Sequence, residues 1–172
     1  QSFIEEYHIP GLAAAIVKDG EVRWMKAYGY ADIDQNKAMR ESTLLNIGSI
    51  SKTFTATAVM QLWEQGRLEL DADINTYLPG PIRSPHHPGI PITVQHLLTH
   101  TSSIRDGAAY DKSYACGDPA ISLREWIEGY FNPEGDYYDA EENFYEEPPG
   151  EKYASSNVGF GVLGLIVEEI TG

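Results

Sequence analysis

The stretch Asn46-Ile-Gly-Ser-Ile-Ser-Lys-Thr-Phe-Thr55 opens the strongest helical periodicity in the chain. From Ser49 to Gln65 the apolar residues Ile50, Phe54, Ala58 and Leu62 recur every four positions. Val59 and Trp63 stand beside them and Gly66 follows as a stop, so the spacing predicts a helix. Ser49 lies at its mouth and Lys52 three residues later, and positions i and i+3 share one helical face. A serine hydroxyl is a poor nucleophile near neutral pH and needs an adjacent base. An amine can fill that role where burial and a helix N-terminus disfavour its charged form. The same helix end offers backbone N–H groups, that of Ser49 included, to an oxyanion on an attacked carbonyl. Taken alone, the spacing equally describes a helix cap and a solvated amine.

Toward the N-terminus, Phe3, Ile4 and Tyr7 among acids read as the last turns of a helix. A turn over His8 to Gly11 leads into the apolar run Leu12 to Val17, Asp19-Gly20 is a hairpin signal, and Glu21 to Tyr30 partly alternates as a second strand. An isolated hairpin is only marginally stable, so two strands ahead of a helical chain imply a sheet completed elsewhere. Toward the C-terminus, Thr93 caps a helix carrying Val94, Leu97 and Leu98. Ser122 and Glu125 have capping-box spacing ahead of Trp126, Ile127 and Tyr130. A last helix begins near Asn157 and carries Leu163, Ile166, Val167 and Ile170. Residues 79–91, rich in Pro and His, and 132–149, dense in Asp, Glu and Tyr, are expected to be surface loops. The paired His86 and His87 are expected to be solvated, the stretch Asp136 to Glu147 to be a solvated face rather than a lid, and Trp24, Trp63 and Trp126 to be core. No internal repeat is present.

At 172 residues and 42% hydrophobic content the chain can bury a sizeable core. Its net charge of −14 opposes binding to nucleic acid or an anionic membrane surface. No apolar run approaches the roughly 18–20 residues that span a bilayer, and with no Met or basic leader at its start the expectation is a soluble mature piece. The single cysteine, Cys116, forms no internal disulfide and is expected to be a small buried or half-buried residue.

Beyond the Ser49–Lys52 word, several others stand in one order. They are His8-Ile-Pro-Gly-Leu12, Leu68-Glu-Leu-Asp-Ala-Asp-Ile74, Tyr77-Leu-Pro79, Ile92-Thr-Val-Gln-His-Leu-Leu-Thr-His-Thr-Ser102 and Pro149-Gly-Glu-Lys-Tyr153. Together they resemble the serine beta-lactamase and D-Ala-D-Ala peptidase superfamily, especially its class C and esterase-like branch. The resemblance implies an α/β, beta-lactamase/transpeptidase-like fold. Residues 1–45 would be the helix end and first hairpin of an antiparallel sheet domain, and 46–172 the helical domain, with the C-terminal sheet strands outside this chain. It gives the nucleophile role to Ser49, not Ser51, and the activating role to Lys52.

The family places a second element, commonly Tyr-x-Asn, across the site. The matching word here, Ser155-Ser-Asn157, puts Ser155 in the tyrosine place and Asn157 in the substrate-orienting place. Three readings stay open: Ser155 shuttles the proton as in Ser-x-Asn branches, it is a substitution that cripples turnover, or Tyr153 reaches in instead. The family's third element, Lys-Thr-Gly or His-x-Gly, is missing from the sequence, so a complementary C-terminal portion is the expected partner.

The resemblance thus implies acyl transfer on a beta-lactam, a D-amino-acid peptide or an ester. The rival is a catalytically dead module used for binding. No cofactor is implied. His96 and His100 lie four apart, but no carboxylate stands in third-ligand position, so no metal is expected. The family is often exported, although one cysteine is compatible with either side of a bacterial membrane.

Overall fold

A computed structural model describes residues 2–172. The chain divides into two compact units, Gln1–Gly48 and Ser49–Gly172. The first holds helix α1 (Ser2–Glu6) and an antiparallel sheet of β1 (Gly11–Lys18), β2 (Glu21–Asp32) and β3 (Lys37–Ala38), in that spatial order. At the β1–β2 turn Asp19 and Gly20 have φ of 56° and 75°. Positive φ at both central residues matches the right-handed twist of the flanking strands, so the Asp-Gly pair sets Lys18 opposite Glu21 and Val17 opposite Val22, and a shift of register between Val17 and Ile16 then brings Ile16 opposite Trp24. The third strand has no counterpart in the sequence reading. It is only two residues long, pairs Tyr30 with Ala38, and is too short to show alternation.

A 3-10 turn at Gly48–Ile50 leads into α2 (Ser51–Glu64) of the second unit, so Ser49 precedes the α-helix rather than opening it. The helices α3 (Val94–Leu98), α4 (Ala108–Lys112), α5 (Leu123–Phe131), α6 (Ala140–Asn143) and α7 (Asn157–Thr171) follow. Thr93 and Ser122 form the capping boxes of α3 and α5, each satisfying backbone donors that the first turn leaves free. Helix α7 runs through the middle, packed on α2, α3 and α5, and it buries Val158, Val162, Leu163, Leu165 and Ile166.

Only part of the stripe Ile50, Phe54, Ala58, Leu62 is buried: Leu62 is, Ala58 is half-buried, and Ile50 and Phe54 are exposed. Phe54 is 68% exposed, and the helix buries Val59 and Leu62. Lys52, Thr55 and Ala56 are half-buried on the same side, which is the i, i+3, i+4, i+7 pattern of one helical face. Trp24 and Trp63 are likewise not core, at 41% and 44% exposed, whereas Trp126 is partly buried and stacks on Tyr130. Cys116 is exposed, in the loop after α4 whose residues 113–121 are all exposed.

The two stretches read as solvated loops are tied down. His87 Nε2 lies 2.7 Å from the Glu146 carbonyl oxygen, joining the Pro-rich loop to the acidic one. The acidic stretch contains α6 and buries Phe144 and Asn143, and the Asn143 amide donates to the carbonyls of Tyr130 and Tyr137 at 2.9 Å. Its charges face water while its aromatic and amide side chains anchor it. Among the described residues no helix is long and apolar enough to cross a membrane.

Candidate active site

Ser49, Lys52 and Asn157 come together at the N-terminal ends of two helices. Lys52 Nζ donates to Ser49 Oγ at 3.1 Å and also to Asn157 Oδ1 in a short hydrogen bond, with the Phe160 ring 5.9 Å from the amine. The first contact follows from the three-residue spacing. The second crosses from α2 to α7 and depends on the buried face of α2 carrying Lys52 inward.

Asn157 is the first residue of α7, and what holds it is Asp106. The Asp106 carboxylate accepts four hydrogen bonds: from Ser156 Oγ at 2.9 Å, from the N–H groups of Asn157 and Val158 at 2.9 and 3.0 Å, and from Asn157 Nδ2 at 2.8 Å. A carboxylate on the free donors of a helix N-terminus is doubly favoured, by hydrogen bonding and by the helix dipole. Asp106 itself is fixed by Tyr130, whose buried hydroxyl accepts from Gly107 N–H and donates to the Arg105 carbonyl, both at 2.8 Å. Burial, the largest influence, pushes the Tyr130 pKa up to about 12, so its O–H donor persists at any working pH. A Cβ on Gly107 would stand 2.7 Å from Asn143 Oδ1 and from the Glu142 carbonyl oxygen, so only glycine lets this segment run against α6. Asp106 was invisible in the sequence, because it lies 51 positions from Asn157 and belongs to none of the words read there.

His100 closes the loop before α7. Its Nδ1 accepts the Ser156 N–H at 3.2 Å, and its carbonyl accepts the Ala154 N–H at 2.8 Å. Burial holds its pKa below the ordinary imidazole value; the Lys52 charge adds to the effect and Asp106 opposes it. His96 Nδ1 accepts the Thr93 N–H, so both histidines spend a ring nitrogen on the backbone. Ser155 is exposed, and the loop's hydrogen bonds run through its neighbours Ala154 and Ser156 rather than through its hydroxyl. Tyr153 is 72% exposed, its ring edge-on to His100 at 6.0 Å between centroids.

Helices together with a small antiparallel sheet define the class as the beta-lactamase/transpeptidase-like fold of serine hydrolases. The chain belongs to the Beta-lactamase family, whose model matches residues 1–172. It is 30% identical over 173 residues to Protein flp of Staphylococcus aureus strain N315, covering 98% of this chain and 31% of that protein. The octameric penicillin-binding protein homologue from Pyrococcus abyssi superposes with a TM-score of 0.70 at 30% identity, over 99% of this chain and 37% of that one. The beta-lactamase/D-alanine carboxypeptidase from Pseudomonas syringae gives 0.67 at 30% identity, over 98% and 42%. The chain spans about a third of the length of Protein flp.

Proposed function

We propose that this chain carries the nucleophile and its base for a serine hydrolase acting by acyl transfer. The observation that carries the reading is the 3.1 Å contact between Lys52 Nζ and Ser49 Oγ, with Asn157 Oδ1 on the far side of the amine. Once it has given up a proton, the amine keeps one N–H on Asn157 and turns its lone pair on the Ser49 hydroxyl. Ser49 Oγ then attacks the carbonyl carbon of a beta-lactam, D-amino-acid peptide or ester, its proton passes to Lys52, and the carbonyl oxygen becomes the oxyanion facing the Ser49 N–H. When the tetrahedral intermediate collapses, the leaving nitrogen or oxygen takes up the proton that Lys52 received, which leaves the amine a base again and Ser49 as an ester. Water attacks that ester, gives its proton back through the same base, and releases the acid. Ser155, exposed two residues before Asn157, is assigned the proton relay to the leaving group that a tyrosine performs in the family. The second oxyanion donor and the opposite wall are assigned to residues outside this chain, a reading supported by its share of its relatives' length.

A binding module without turnover is the second reading, favoured by a short hydroxyl in the tyrosine place. The longer polypeptide that contains this chain, incubated with a fluorescent penicillin and a fluorophosphonate, decides between them. The hydrolase reading expects a covalent adduct on the Ser49 peptide by mass, none in Ser49→Ala, and labelling about 10³-fold slower in Lys52→Ala. A protein that binds the penicillin reversibly and leaves Ser49 unmodified is the binding module.

A further inference from the structure

Resting on the hydrolase reading, we propose that Asp106 is a positioning residue that fixes which end of the Asn157 amide faces Lys52. The amide has a donor end and an acceptor end of nearly equal size, so packing alone does not orient it. Asp106 decides the matter chemically. Its carboxylate is acceptor-only, and Oδ2 takes both the backbone N–H and the side-chain Nδ2 of Asn157, so Nδ2 must point at Asp106 and Oδ1 at Lys52. The reverse orientation would set oxygen against carboxylate and an NH2 group against the amine. The other carboxylate oxygen, Oδ1, takes the Val158 N–H, which is enough to lock the carboxylate plane, and Ser156 Oγ adds a further bond to the same oxygen. The Tyr130 hydroxyl holds the backbone on both sides of Asp106. A continuous series of bonds thus runs from a buried tyrosine through Asp106 and Asn157 to Lys52 and Ser49.

An asparagine at 106 has one acceptor oxygen in place of two. It cannot hold the helix N–H groups and the Asn157 amide together, and its own NH2 can face either way. Asp106→Asn should therefore free the Asn157 amide to rotate and leave Lys52 without a fixed acceptor.

In the longer polypeptide, the labelling of Ser49 by a fluorophosphonate is resolved into a binding constant and a maximal rate, and thermal midpoints are read in parallel. Asp106→Asn should lower the maximal rate about 10²-fold, the scale of a small misplacement of a catalytic group, with the binding constant within about twofold. Ser156→Ala, which removes the cap of α7 and one Asp106 contact but keeps the Asn157 amide bond, should lower the thermal midpoint while the rate stays within about threefold. The two effects separate if Asp106 acts on the amide. In an Asn157→Ala background, Asp106→Asn should cost almost nothing further in rate, since two groups acting through one contact are not additive. The inference is overturned if Asp106→Asn labels as fast as wild type, if its loss is undiminished in the Asn157→Ala background, or if Ser156→Ala slows labelling equally. Should Asp106→Asn fail to fold, Asp106→Glu, which moves both acceptor oxygens by one methylene, is taken through the same two backgrounds: a loss of maximal rate that disappears in the Asn157→Ala background supports the inference, and no loss, or a loss that persists there, sinks it. Wild type that takes no label on Ser49 sinks the hydrolase reading itself, and the catalytic purpose of Asp106 with it.

Discussion

In the sheet unit, large apolar side chains of both long strands face solvent, Ile16, Val17, Val22, Trp24 and Met25 among them. In the helical unit every side chain of the buried hydrophobic cluster lies between Val59 and Ile166, gathered around α7. One unit is ordered by its ladder of backbone hydrogen bonds and an Asp-Gly turn, the other by packing. The same substitution should therefore register very differently in the two. Ile166→Ala, in a wholly buried position, is expected to destabilise residues 1–172 by about 2–5 kcal/mol in urea denaturation. Ile16→Ala, at a side chain 58% exposed, is expected to change stability by no more than about 0.5 kcal/mol. Comparable losses for the two would break the contrast.

That contrast also explains what could be read in advance. Caps and turns are written in neighbouring residues, so Thr93 as a cap, Ser122 with Glu125, and Asp19-Gly20 all announced themselves. The class of fold was legible from words distributed along the chain. The buried side of α2 was not: of the every-four stripe Leu62 is buried and Phe54 exposed, while Lys52, outside that stripe, is half-buried. The Ser49–Lys52 contact was local enough to predict from spacing. The Asn157 end of the site was located by its resemblance to a family word, and Asp106 by neither route, since its four partners come from a segment about fifty positions away.

A sharper test within the helical unit concerns polar packing. Tyr130→Phe keeps the ring that stacks on Trp126 but removes the hydroxyl between the Gly107 N–H and the Arg105 carbonyl. Two backbone groups beside Asp106 are left unpaired, and Gly107 is buried, so the expected loss is about 1–3 kcal/mol. This should exceed any single hydroxyl removal on the exposed sheet unit, such as Tyr30→Phe. A loss below about 0.5 kcal/mol would show that water replaces the hydroxyl, and would loosen the account of how the site is held.

The smallest expected effect is one of pH, and it belongs to the helical unit. His96 and His100 each accept a backbone N–H at Nδ1, from Thr93 and from Ser156, and a protonated ring cannot accept there. Burial lowers the pKa of both, with Lys52 contributing at His100. In the unfolded chain they titrate near about 6.5. As pH falls through that value the unfolded chain takes up protons that the folded unit refuses, so stability declines until the lower folded values are reached; above the unfolded value it is flat. The carboxylates held low by partners, Asp73 by Arg83 against the opposing effect of its burial, Glu125 by Ser122 and Glu147 by Lys152, lose their contributions in a separate window, below about pH 4.5. Thermal midpoints of residues 1–172 between pH 7.5 and 5.5 should therefore fall in the wild type, fall less in His100→Gln, and hardly change in His96→Gln/His100→Gln. A double variant that retains the full slope would move its origin away from the loop that presents Asn157 to Lys52.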